Sequence, residues 1–165
     1  MRRAHGVDVG AARGEEGHRV PRPGVGGAGG RSVTGPGNRG SSPGPHRILV
    51  VEDVPDVGRT FCALLEVFGH DVELAPNGVE ALEALAERGA NVVICDIGLP
   101  GMSGHEFARR VRSAPELADV CLIAVTGRGG PEQDRLSAEA GFDFHLLKPV
   151  SIDEIQRLMG SDRTL

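Results

Sequence analysis

The chain has no tryptophan, no tyrosine and only five phenylalanines among its 165 residues. A flavin carrier therefore fits poorly, because nothing large and aromatic is available to stack on an isoalloxazine ring. The three cysteines, Cys62, Cys95 and Cys121, sit inside apolar patterns without metal-ligand spacing, which predicts reduced core thiols. No apolar run is long enough to cross a bilayer, and the start of the chain lacks the continuous apolar core of a secretory signal. The reading is a cytoplasmic chain without membrane insertion. Lysine is nearly missing as well: Lys148 stands against seventeen arginines.

Charge and composition divide what is present into two unlike parts. Residues 1–46 carry seven arginines against Asp8, Glu15 and Glu16, a balance of +4, whereas residues 47–165 carry eleven cations against twenty acids, a balance of −9. The first part is dense in glycine and proline and poor in aliphatic residues, so it cannot bury enough apolar surface to offset the entropy of ordering it. Residues 1–45 are expected to be a disordered tail, 46–160 a folded domain, and 161–165 a short C-terminal end. Gly24-Val25-Gly26-Gly27-Ala28-Gly29 matches a dinucleotide-binding fingerprint, but no strand signal precedes it and no helix signal follows. The tail arginines have no aromatics beside them to stack on bases, so a solvated tail is preferred to a nucleic-acid contact.

From Arg47 onward, short apolar runs alternate with amphipathic segments, the order expected of a βα repeat with a parallel sheet. Strands are predicted at 47–52, 71–75, 91–95, 120–125 and 143–147, and helices at 55–68, 78–88, 104–113, 131–140 and 152–159. Punctuation supports these limits. Asn77 with Glu80, Ser103 with Glu106 and Ser151 with Glu154 have capping-box spacing, Pro131 suits a first helical turn, and Gly69, Gly89 and Gly141 suit helix ends. Five such units give an open, doubly wound α/β sheet with strand order 2-1-3-4-5 and a switch point between the first and third strands.

Four polar residues end four of these apolar runs: Asp53, Asp96, Thr126 and Lys148. In a parallel sheet they meet at one edge. Two carboxylates, a hydroxyl and an ammonium in one crevice suit a divalent cation and a phosphoryl group. Singly, each has a plainer reading as a helix N-cap, a turn residue or a solvated strand end, and only their coincidence favours a site.

The segments Val50-Val51-Glu52-Asp53, Asp96-Ile97-Gly98-Leu99-Pro100-Gly101-Met102-Ser103-Gly104, Val125-Thr126-Gly127 and Leu147-Lys148-Pro149 resemble the receiver domain of two-component response regulators, over roughly residues 46–160. The resemblance implies a flavodoxin-like sheet and a phosphoacceptor at Asp96. It implies Mg²⁺ held by Asp53, Asp96 and the Gly98 carbonyl, with Glu52 holding a water. Lys148 is then the partner of Asp96 before transfer and of a phosphoryl oxygen after it, Thr126 is the hydroxyl that pulls its loop inward, and a cis bond precedes Pro149. Such a domain catalyses only its own phosphorylation and dephosphorylation and is not otherwise an enzyme.

The implied partners are a sensor histidine kinase or a histidine phosphotransfer protein, docking beside the first helix near Val57, Thr60 and Phe61, and a downstream protein target. With six residues after Met159, no DNA-binding or catalytic output domain is expected to follow, so output falls to the surface of the domain. The Gly-Phe-Asp-Phe-His-Leu-Leu-Lys-Pro-Val segment is similar to receivers of hybrid histidine kinases. One departure stands at His145, where receivers usually carry tyrosine or phenylalanine. Either its ring swings between exposed and half-buried positions, or it is a static surface histidine on an edge strand. Three other classes compete. A haloacid dehalogenase type of hydrolase would place a second aspartate where Gly98 stands, and a flavin carrier would need a hydroxyl-rich loop after the first strand. A pseudo-receiver acting only as a protein-interaction module would need a lesion among the acids.

Overall fold

The computed structural model describes residues 17–21 and 44–161. Among these residues the sheet has six strands: β1 (His18–Arg19), β2 (Arg47–Val51), β3 (Asp71–Ala75), β4 (Val92–Asp96), β5 (Cys121–Thr126) and β6 (Phe144–Leu147). Five helices accompany them: α1 (Pro55–Val67), α2 (Gly78–Glu87), α3 (Gly104–Ser113), α4 (Pro131–Ala140) and α5 (Ile152–Ser161). A 3₁₀ turn at Pro115–Leu117 was not expected. The sheet order is β1-β6-β5-β4-β2-β3, so the five expected strands keep their expected succession and β1 extends it past β6. β1 is antiparallel to β6, and the other neighbours are parallel.

Alternation along the strands feeds two apolar layers. Ile48, Val50, Ile94, Ile123 and Leu146 face α1 and α5, where Cys62, Leu65, Ile155 and Met159 cover them. Leu49, Val51, Val93, Leu122 and Ala124 face the other way, under Ala81, Leu85, Phe107, Val111 and Ala138 of α2, α3 and α4. Right-handed crossovers require helices on both faces in this way. All three cysteines lie in these layers. Burial, with Glu66 adding to it, pushes the Cys62 thiol up to about 11, so it stays protonated at neutral pH.

The helix ends form as the sequence spacing predicts. The side chains of Asn77, Ser103 and Ser151 accept hydrogen bonds from the backbone N–H of Glu80 (2.9 Å), Glu106 (3.2 Å) and Glu154 (3.2 Å). Gly141 ends α4 with φ +103°, a conformation that side chains resist.

The tail needs a correction. Residues 17–21, inside the segment expected to be disordered, lie along β6 and bury the Val20 side chain to 2% exposure. The reason is the open edge of β6, whose backbone groups a neighbouring strand satisfies, and one aliphatic residue in an otherwise polar stretch. The rest of the tail, including Gly24–Gly29, and residues 162–165 lie outside the described residues.

Gly104 fixes how closely α3 approaches the end of β4. A Cβ there would sit 2.6 Å from the Asp96 carbonyl oxygen and 2.8 Å from the Ile97 Cα, both backbone atoms that cannot step aside cheaply. Gly104→Ala is expected to cost about 1–3 kcal/mol, the usual range for overpacking. Urea denaturation followed by far-ultraviolet circular dichroism measures it.

Candidate functional site

Strand register brings the acids together. Val51 pairs with Cys95, so Glu52 and Asp53 leave β2 beside Asp96 at the end of β4. Asp96 pairs in turn with Val125, and Thr126 with Leu147, which sets Thr126 and Lys148 along the same row of strand ends. Glu52, Asp53 and Asp96 each offer one carboxylate oxygen, and these oxygens lie within 4.8 Å of one another. Lys148 Nζ is 2.8 Å from Asp96 Oδ2 and 3.6 Å from Glu52 Oε2.

The backbone holds two of the acids in place. Asp96 Oδ1 accepts from the Gly98 N–H at 2.9 Å, and Glu52 Oε1 accepts from the Val54 N–H at 3.1 Å. Glu52 is buried, Asp96 is partly covered and Asp53 is exposed. The Lys148–Pro149 peptide bond is cis, as expected. Burial works against the charge of the Lys148 ammonium, but the hydrogen bond and charge of Asp96, followed by Glu52, outweigh it and raise the pKa above its ordinary value. Lys148 is therefore fully charged at neutral pH. Cys95 lies beneath the site, where burial and then the charges of Asp96 and Glu52 push its thiol up. The protonated sulfur donates to the Asp96 carbonyl at 3.2 Å.

Thr126 is attached to this cluster through the backbone. Its carbonyl accepts from the Lys148 N–H at 2.8 Å, and its hydroxyl oxygen accepts from the Arg128 N–H at 3.2 Å, which leaves the hydroxyl proton available to an acceptor. A cleft of about 850 Å³ runs from Asp96 and Lys148 along α1, lined by Val57, Phe61 and Leu64 and by Pro149 and Val150.

The geometry has counterparts among known proteins. The family model of the response regulator receiver domain matches residues 48–159. The response regulator MprA of a Mycobacterium species is 34% identical over 67% of this chain and 47% of its own length. The aerobic respiration control protein ArcA of Escherichia coli is 39% identical over 67% of this chain and 45% of its own. A crystal structure of a putative response regulator from Chloroflexus aurantiacus superposes with a TM-score of 0.64 at 30% identity, covering 69% of this chain and 94% of that one. The chain spans less than half the length of these two curated relatives. It belongs to the response regulator receiver family.

Two features escaped the sequence reading. Arg112, on α3, donates to the carbonyls of Gly141 (2.9 Å) and Val120 (2.8 Å) and pairs with Asp143 at 2.8 Å, while Asp143 accepts from the Leu122 N–H. Its position, four residues after the buried Ala108, was the available signal. His145, read as either swinging or lying on an exposed edge, is instead 3% exposed, because β1 covers the strand that was expected to be the edge. Its ring stacks on His18 with centroids 6.2 Å apart.

Three clustered carboxylates repel one another in metal-free protein, and Lys148 offsets the repulsion. With chelator present, Asp53→Asn is expected to raise the urea midpoint, whereas Lys148→Ala lowers stability by roughly 0.5–1 kcal/mol once solvent screening of the part-exposed lysine is counted. Opposite signs in the two variants are the observable. A pH dependence follows from His145, whose imidazole is held below its ordinary value of 6.5 by burial, with Asp134 pulling it up and His18 pushing it down. The unfolded chain takes up this proton first, so stability is fully present above that value and declines as pH falls below it. In His145→Phe the loss of stability between about pH 7.5 and 5.5 should be smaller. His105, lowered chiefly by burial and next by Arg109, retains part of the decline.

Proposed function

We propose that this domain accepts a phosphoryl group on Asp96 from a phosphohistidine in a sensor kinase or phosphotransfer protein and signals through its surface. The observation that carries this reading is the Lys148 ammonium 2.8 Å from Asp96, with Glu52 and Asp53 clustered on the same carboxylate. A carboxylate attacks a phosphoryl group poorly because both are anionic, so positive charge must be in place before they approach. Mg²⁺, when bound, supplies most of it; the oxygen-only donor set of Asp53, Asp96 and the Gly98 carbonyl, with Glu52 through a water, suits that ion.

The remaining steps belong to the chain. An Asp96 oxygen forms the new O–P bond as the P–N bond to the donor imidazole breaks, and the leaving nitrogen keeps the electron pair and takes a proton. Lys148 passes from Asp96 to a phosphoryl oxygen, which a compact ammonium on a flexible stem can do without dismantling a bidentate geometry. Thr126 donates its free hydroxyl proton to another phosphoryl oxygen and draws the loop after β5 inward. The product is an acyl phosphate, labile by nature.

The apolar cleft beside α1 supports docking of the phosphohistidine donor there, with Val57 and Phe61 on one side and Pro149 on the other. Output is assigned to the face made by α4, β6 and α5. Residues 46–160 form the receiver unit, and the partners are proteins, not DNA. Action in the cytoplasm is part of this reading. Among the described residues no helix is long and apolar enough to cross a membrane.

Acetyl phosphate with Mg²⁺ should add one phosphoryl group to the intact mass, and Asp96→Asn should abolish the addition. A folded wild-type chain that gains no phosphoryl group would leave a protein-interaction module without phosphotransfer. Mg²⁺ alone at about a hundred times its dissociation constant should stabilise the chain by about 2.7 kcal/mol, and Asp53→Asn should lose most of that gain.

A further inference from the structure

Residues 17–21 occupy the edge of β6 as a ligand would. His18 pairs with His145 and Arg19 with Phe144, and the Val20 N–H donates to the Asp143 carbonyl at 3.0 Å. Val20 enters the apolar layer that holds Phe142 and Ala138. On the α5 side the Gly17 N–H donates to Glu154 Oε1, and a Cβ on Gly17 would overlap Leu146. On the α4 side His18 Nε2 lies 3.0 Å from Asp134. The groove is a strand edge with one acid on each rim, filled by a short basic segment whose smallest residue sits where space is least.

This closure is held weakly and at a cost. Among the described residues of the segment, two pair with β6 and one aliphatic side chain is buried. Closing the edge also buries His145 with both ring nitrogens outside any hydrogen bond, although its Nδ1 lies 3.1 Å from Asp134 Oδ1, a contact that becomes an ion pair only when the ring is protonated. A buried ring that makes no hydrogen bond, with one carboxylate nearby, is a cost that opening the edge would relieve. Residues 22–43 join the segment to the domain, enough chain for it to leave while β2 stays in place.

We infer that Gly17–Pro21 is a displaceable self-ligand, and that the β6 edge between α4 and α5 is a strand-addition site for an extended basic peptide of the pattern small-x-x-aliphatic-proline. Backbone pairing gives such a site its affinity, and the Gly17 and Val20 positions give it selectivity. Tethering raises the local concentration of the resident segment to about the millimolar range, so outside strands compete only when they bind better or when the segment is released. This inference does not depend on phosphoryl transfer.

The test uses the full chain, a fluorescent peptide of residues 15–23, and the variants Val20→Asp and Gly17→Val. Either variant should leave the far-ultraviolet melting curve close to that of wild type, bind the peptide about tenfold more tightly or better, and open His145 to diethyl pyrocarbonate. The same peptide carrying Val20→Asp should not bind. Loss of the whole fold in both variants would show the segment to be an integral strand and overturn the proposal. Equal peptide affinity in wild type and variants would overturn it too, as would self-association of a variant that the peptide cannot reverse.

Discussion

The parallel register of β2, β4 and β5 is the constraint on which the rest depends. It is locked by apolar packing on both faces, since a slip of one residue would turn every inward side chain toward the wrong layer. Burying one side chain such as Ile48, Val50 or Leu122 contributes about 1.5–3 kcal/mol, and the strands carry many of them. Repulsion among three carboxylates, one of them exposed and one partly covered, is small beside that sum. The core therefore dictates where Glu52, Asp53 and Asp96 stand, and the acids have no say in it.

Two ion pairs show how differently the molecule uses positive charge. Arg112 is fastened at several points to backbone carbonyls and to Asp143, and both partners are largely covered. It staples α3 to the approach of β6. Lys148 touches Asp96 at one point, reaches Glu52 more loosely, and stays part exposed. A guanidinium fork suits the fixed joint; an ammonium suits a contact that exchanges partners. The only lysine of the sequence makes the looser of these two contacts.

The sequence was most legible where local and long-range signals agreed. Asn77, Ser103 and Ser151 cap the helices their spacing implied, and each expected element lies within two residues of its predicted limits. Asp53, Asp96 and Lys148 could be grouped in advance because each follows an apolar run, and parallel strands align such ends; Glu52 joined them only through the family resemblance. Thr126 was legible as a strand end but not as a hydroxyl already engaged by the Arg128 amide, which only loop geometry decides. Less legible still was β1. Its two paired residues carry no periodicity, and the edge that recruits them exists only after β6 has folded. His145 was misjudged for the same reason: its burial comes from a segment more than a hundred residues away in sequence.

A single side-chain amine on a surface rich in arginine gives the molecule an unusual chemical address. Reagents or enzymes that acylate lysine side chains meet one target in the whole sequence, and it lies against the Asp96 carboxylate. Acylation there would replace an ammonium with a neutral amide and leave the acid cluster without its counter-charge. Acyl donors, which ordinarily spread their marks over many surface lysines, would find one lysine here, and its pairing with Asp96 keeps that amine protonated and slow to react.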